Sequence, residues 1–233
     1  MIFPASRSGH AGYFITGTDT GVGKTLIACA LLHSFAGTGA RVVGMKPVAA
    51  GAVPAAEGLL NDDVAVLRAA STINAELALI NPYCFEPAIA PHVAADQCGV
   101  TIDFEKISAA YAQLAAVAET VIVEGVGGFC VPLNVNENSS DLARRLGLPV
   151  ILVVGVRLGC MNHALLTAQA IRASGLRLAG WVANRIDPAM PAAAANIAAL
   201  RQRLAAPLLS VVEFAAIPDA RQLAATFDLS ILA

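Results

Sequence analysis

The chain has 233 residues, 57% of them hydrophobic and only 14% charged, with a formal net charge of −2. That length allows one large core in a single domain, and with no basic run there is no electrostatic footprint for nucleic acid or an anionic membrane surface. No apolar run approaches the roughly 20 residues that span a bilayer, and Cys29, Cys84, Cys98, Cys130 and Cys160 have neither metal-ligand spacing nor a disulfide framework, so each is expected to pack as a small buried hydrophobe.

Met1 to Gly12 has no apolar centre of signal-peptide length and is expected to be a loose leader of a cytoplasmic protein, ahead of one domain over residues 13–233. The next stretch, Tyr13 to Thr25, reads as a buried strand, a glycine-rich turn and the start of a helix. That is the pattern of a phosphate-binding loop. Gly21 and Gly23 let backbone N–H groups converge on an anion, Lys24 adds a point charge, and the Thr25 hydroxyl can hold magnesium. The spacing is a variant one, because the position five before Gly23 is Thr18 and the glycine lies one further back, at Gly17.

A helix over Leu26 to Phe35 ends at Gly37 and Gly39, and Arg41 to Lys46 is a second strand. Lys46 stands at the carboxyl end of that strand, where open α/β sheets collect ligands, although a solvated surface lysine fits the position equally well. Ala49 to Leu60 reads as a Gly/Pro/Ala loop that delivers Asn61, Asp62 and Asp63 to a helix start. The carboxylates there either complement the helix dipole or offer magnesium an oxygen ligand. Ile80 to Ala95 holds three prolines and reads as an irregular wall of an active site, with His92 a structural or substrate-lining residue rather than a general base.

Asp103 to Glu119 is an amphipathic helix with Ile107, Tyr111, Leu114 and Val117 as inward positions. It feeds the strand Thr120 to Gly125, which closes on Glu124, an acid placed to bear on a bound magnesium ion. Gly125, Gly127 and Gly128 then allow close approach of backbone amides to a ligand. A short helix over Asp141 to Leu146, a buried strand over Pro149 to Gly155 and a helix over Ala164 to Ala173 follow. The strand Leu178 to Asn184 ends in an amide suited to a purine edge. A helix near 192–205, a strand over Leu208 to Val212 and a last helix near Asp219 complete the chain. This alternation predicts a single doubly wound, mostly parallel sheet with helices on both faces, an α/β fold of the P-loop NTPase type.

Five blocks in this order resemble the dethiobiotin synthetase family: Gly17-Thr-Asp-Thr-Gly-Val-Gly-Lys-Thr25, Lys46-Pro-Val-Ala49, Val123-Glu-Gly-Val-Gly-Gly128, Val150 through Ala164, and Gly180-Trp-Val-Ala-Asn184. The resemblance implies a ligase that joins 7,8-diaminopelargonic acid and CO2 at the cost of ATP, giving dethiobiotin, ADP and phosphate. It implies catalytic roles for Lys24, Lys46 and Thr20, and a Mg2+ site of Thr25, Asp63 and Glu124. Nucleotide contacts would come from Thr18, Asp19, Thr20, Gly21, Val22, Gly23, Lys24 and Thr25, together with Asp63 and Glu124, and Asn184 would read the adenine. Substrate would meet Thr20, Lys46, Ala50 and the Gly127 backbone. Its carboxylate would be held by Leu158, Gly159, Cys160, Met161 and Asn162 of the second subunit of a homodimer. The chain departs from the family pattern at Ala50, where many members have Ser, at Gly21, and over Ser210 to Ala215. A partition-type ATPase is the rival reading, but such proteins usually carry a lysine early in the loop, where this chain has Asp19. An amidoligase of the same core would need an ammonia-supplying domain, for which there is no room.

Overall fold

The computed structural model describes residues 11–232. Its centre is a six-stranded sheet in which every neighbouring pair is parallel. In chain order the strands are β1 (Ala11–Gly17), β2 (Val42–Met45), β7 (Thr120–Glu124), β8 (Val150–Val156), β9 (Leu178–Arg185) and β10 (Leu208–Val212). Across the sheet they run β10-β9-β8-β1-β7-β2. Burial on both faces explains composition: β2, β7 and β8 are buried at every residue, so they read as continuous apolar runs rather than alternating ones.

Successive residues of each strand serve opposite cores. Phe14, Val121, Val123 and Leu152 face one side with Ile107, Leu114, Ala164 and Ala168 from the helices α5 (Phe104–Val117) and α7 (Cys160–Ala173). Ile15, Ile122, Ile151 and Val153 face the other with Ile27, Leu31 and Leu32 of α1 (Lys24–Ala36). Helix α1 is flanked by α2 (Asp62–Ala70) and α9 (Ala220–Ala224), so apolar residues extend most of the way round it. The chain end is fastened beside β1, where the Tyr13 hydroxyl donates to the Leu232 carbonyl at 2.8 Å.

Several expectations are corrected. β1 begins at Ala11, two residues ahead of the expected strand, while residues 1–10 of the expected leader lie outside the described residues. The loop after Lys46 is ordered into β3 (Val48–Ala50) and a hairpin of β4 (Val53–Ala55) and β5 (Gly58–Leu60). β3 pairs with β6 (Tyr83–Phe85), which lies between α3 (Leu77–Ile80) and α4 (Pro91–Gln97) in the stretch read as irregular. The prolines there keep elements short without abolishing them, and Pro91 opens α4 because that first-turn position needs no N–H partner.

Val117 is 46% exposed because the buried stripe of α5 steps by four residues from Leu114 to Ala118. Tyr111 is half-buried, whereas Ile107 and Leu114 are fully buried as expected. Cys29 and Cys160 are buried, but Cys98 and Cys130 are exposed because each sits in a loop with no core beneath it to cover the thiol. The remaining helices, α6 (Ser139–Leu146) and α8 (Ala193–Arg203), match the expected ones within a few residues. Among the described residues, no helix is long and apolar enough to cross a membrane.

Candidate active site

The parallel strands bring their carboxyl ends to one edge, and the loops there enclose a cavity of about 840 Å³. Its floor is the turn between β1 and α1. Gly21 and Gly23 have φ of 73° and 89°, values that L side chains rarely adopt, and they turn the loop so that Lys24 begins the helix. The variant spacing also has a physical reason. A Cβ at Gly17 would lie 2.6 Å from Val22 and 3.0 Å from the Asp19 carbonyl, so the close crossing of the loop falls there. Thr18 instead keeps a side chain, whose hydroxyl accepts from the Gly155 N–H of β8 at 3.3 Å.

Four charged or polar groups from four elements meet above this floor. Lys46, leaving β2, is 4% exposed and donates to Asp63 Oδ2 at 2.8 Å and Glu124 Oε1 at 2.5 Å. Thr25 donates its hydroxyl to the same Glu124 oxygen at 2.9 Å. Asp63 is presented by the first turn of α2, whose Asn61 cap accepts from the Asp63 N–H at 3.0 Å and ties the helix start to the Ala50 carbonyl. Of the two readings left open for Lys46, this burial rules out the solvated surface lysine.

Electrostatics follow from that packing. Burial works against the charge on Lys46, yet the Glu124 and Asp63 carboxylates outweigh it and hold the ammonium above its usual pKa. Burial also opposes charge on Asp63, where the Lys46 charge and hydrogen bond prevail and lower its pKa. For Glu124, fully enclosed, burial wins and pushes the pKa up. Lys24 is lowered to about 8, first by burial and then by the nearby Lys46 charge, and its ammonium donates to the Asp19 carbonyl at 3.0 Å.

Glu124 Oε2 is buried and has no hydrogen-bond partner. With Thr25 and Asp63 beside it, this atom suits a hard cation that takes few protein oxygens and fills its shell with water and phosphate, as magnesium does. Among the described residues, no cluster of three or more His, Cys, Asp or Glu offers a different metal site.

Thr20, Gly21, Ala50 and Gly127 join Lys24, Thr25, Lys46, Asp63 and Glu124 along the cavity. Gly127 has φ of 60°, and a Cβ there would stand 3.5 Å from the Thr20 hydroxyl, so the two lie close. Asn184 is elsewhere: it is buried behind the loop, and its amide donates to the Val22 carbonyl at 2.8 Å. A side chain at Gly23 would collide with that amide. Leu158 to Asn162 do not line their own chain's cavity; they form the exposed turn into α7, with Leu158 90% exposed and Cys160 buried.

The sequence reading assigned no role to Arg157, which pairs with Asp19 at 2.5 Å across 138 residues, whereas Ala88, Ile89 and Ala90, in the stretch read as an active-site wall, do wall the cavity. Proline spacing had flagged the latter stretch, whereas nothing in the sequence joins Arg157 to Asp19.

A family model described as an AAA domain matches residues 11–224. The chain is 56% identical over 219 residues to a protein of Nitrosospira multiformis named ATP-dependent dethiobiotin synthetase BioD, covering 94% of this chain and 95% of that one. A protein of the same name from Aromatoleum aromaticum is 57% identical over 217 residues, with 93% and 96% covered. Among solved structures, a ParA family ATPase from Chlorobium tepidum aligns with a TM-score of 0.53 at 13% identity, over 89% of this chain and 86% of that one. The MinC:MinD complex of Aquifex aeolicus gives 0.54 at 16%, over 88% and 82%. These last two likenesses carry the fold alone.

Proposed function

The chain belongs to the dethiobiotin synthetase family, and from that premise we propose that it closes the ureido ring of dethiobiotin from 7,8-diaminopelargonic acid, CO2 and ATP, releasing ADP and phosphate. The observation that carries this reading is the meeting of Lys46, Asp63, Glu124 and Thr25 above a phosphate-binding loop, inside one cavity.

In the proposed sequence one substrate amine takes up CO2 as a carbamate and loses a proton. A carbamate oxygen attacks the γ-phosphorus and ADP leaves with the electron pair of the broken P–O bond. The second amine then attacks the carbamate carbon, the ring closes, and phosphate departs with the oxygen that made the anhydride. No protein nucleophile is needed. The demand is for positive charge held where negative charge builds up, and preorganised groups in a water-poor cavity meet it effectively.

Lys24 and the loop amides, from Thr18 through Thr25, hold the phosphates. Lys46 sits between the phosphoryl group and the carbamate, kept charged by its two carboxylates. Thr20 and Ala50 line the substrate end, and the Gly127 backbone receives the amines. Thr25, Asp63 and Glu124 would hold Mg2+, which would supply further neutralisation of phosphate charge when bound. Asn184, its donor committed to Val22, keeps its carbonyl oxygen for the adenine amine. Leu158 to Asn162 of a second copy receive the substrate carboxylate, completing each site of a homodimer that works in the cytoplasm. Exposure of that turn away from its own cavity supports the shared arrangement.

The test is phosphate release and dethiobiotin formation with Mg-ATP, bicarbonate and 7,8-diaminopelargonic acid, each omitted in turn. Product should require every component. Phosphate release that ignores the diamine, without dethiobiotin, would instead favour an ATPase switch.

A further inference from the structure

We propose that Arg157 is a positioning residue for the phosphate loop, which it serves by neutralising and anchoring Asp19; this rests on the reading of the loop as a nucleotide site. Asp19 is among the residues that line the cavity, so its carboxylate is a negative charge near the groups expected to receive a triphosphate. A carboxylate there is a liability, because it repels the anion that Lys24 and the loop amides attract.

The geometry answers that liability. Arg157 Nη2 lies 2.5 Å from Asp19 Oδ2, and Asp19 Oδ1 accepts from the Thr20 N–H at 2.7 Å. The carboxylate is thus held by two donors and its charge offset by one of them. Its own carbonyl accepts from Lys24, so the residue that Arg157 fixes is also one that orients the loop lysine. Arg157 comes from the turn after β8, a strand already hydrogen-bonded to the loop through Thr18. The support therefore reaches the loop from rigid sheet.

The pair is half-exposed, with 45% of each side chain accessible, so the effect is modest in scale. ADP binding to the purified protein by calorimetry is the readout. Arg157→Gln should weaken ADP binding about 3- to 10-fold, the range expected for an uncompensated charge near solvent. Arg157→Lys should recover most of the loss. Adding Asp19→Asn to Arg157→Gln should bring affinity back to within about 2-fold of the parent, because the repulsive charge is then gone while an amide oxygen still accepts from Thr20.

Arg157 also shapes its own turn, since its carbonyl accepts from the Cys160 N–H at 3.0 Å where α7 begins. A loss through that turn would not be repaired by Asp19→Asn. Equal affinity in Arg157→Gln and parent would overturn the inference, as would a double variant no better than the single one. A parent protein that binds no ADP would remove the nucleotide-site reading and this inference with it.

Discussion

Lys46→Ala takes one positive charge from between two carboxylates. Glu124 is 1% exposed, and with Lys46 gone the Thr25 hydrogen bond remains among the influences that lower its pKa, while burial and the Asp63 charge continue to raise it. Breaking a buried ion pair from one side costs about 3–5 kcal/mol, a large share of the roughly 5–15 kcal/mol that keeps a domain folded.

The sign of the pH dependence follows. Glu124 has its folded pKa raised above the unfolded value near 4.5, so in the window between them the folded state binds more protons and stability falls as pH rises. The variant's deficit should shrink as pH falls through this window towards its lower limit. Urea denaturation at about pH 8 and about pH 5.5 reads this directly. Turnover should fall about 10²-fold or more, the usual loss for one preorganised electrostatic group. A variant with parental stability at both pH values and near-normal kcat would refute the role drawn for Lys46.

Lys24 titrates at about 8, and an anion favours its charged form. Binding of ADP near that pH should therefore take up a fraction of a proton, and affinity should drop as pH rises further; binding heats that do not vary with the buffer's ionisation enthalpy would contradict this. Asn162→Ala should raise the KM for 7,8-diaminopelargonic acid while ADP affinity stays near parental. Mixing Asn162→Ala with Lys46→Ala protomers should restore activity at low substrate, because one site of each mixed dimer then has both intact residues. No gain on mixing, under conditions where subunits exchange, would count against a shared site.

Strands were the most legible part of the fold because β2, β7 and β8 are buried on both faces, and burial on both faces is written directly as an apolar run. The hairpin at 53–60 was not, since its two three-residue strands are mostly exposed and its composition is that of a loop. Within the site, residues fixed by a local rule were readable: Lys24 and Thr25 by the glycine turn, Glu124 by its strand end, and Asp62 and Asp63 together by their helix start, of which it is Asp63 that reaches Lys46. The meeting of Lys46 with Glu124 spans 78 residues, and strand position could only leave it as one of two options. Asn184 was marked as an amide at a strand end, but its burial and its bond to Val22 depend on how the loop folds over it. Arg157 shows the same limit from the other side, since it looks like a solvated charge until the sheet brings it to Asp19.

The central claim is that a carbamate oxygen carries the phosphoryl group. It is tested most directly with 13C,18O-labelled bicarbonate, carbonic anhydrase excluded and time points kept short to limit exchange with water. Dethiobiotin should gain one 13C, and the phosphate formed with it should carry one 18O from the same molecule of CO2. Labelled dethiobiotin accompanied by unlabelled phosphate would contradict the account.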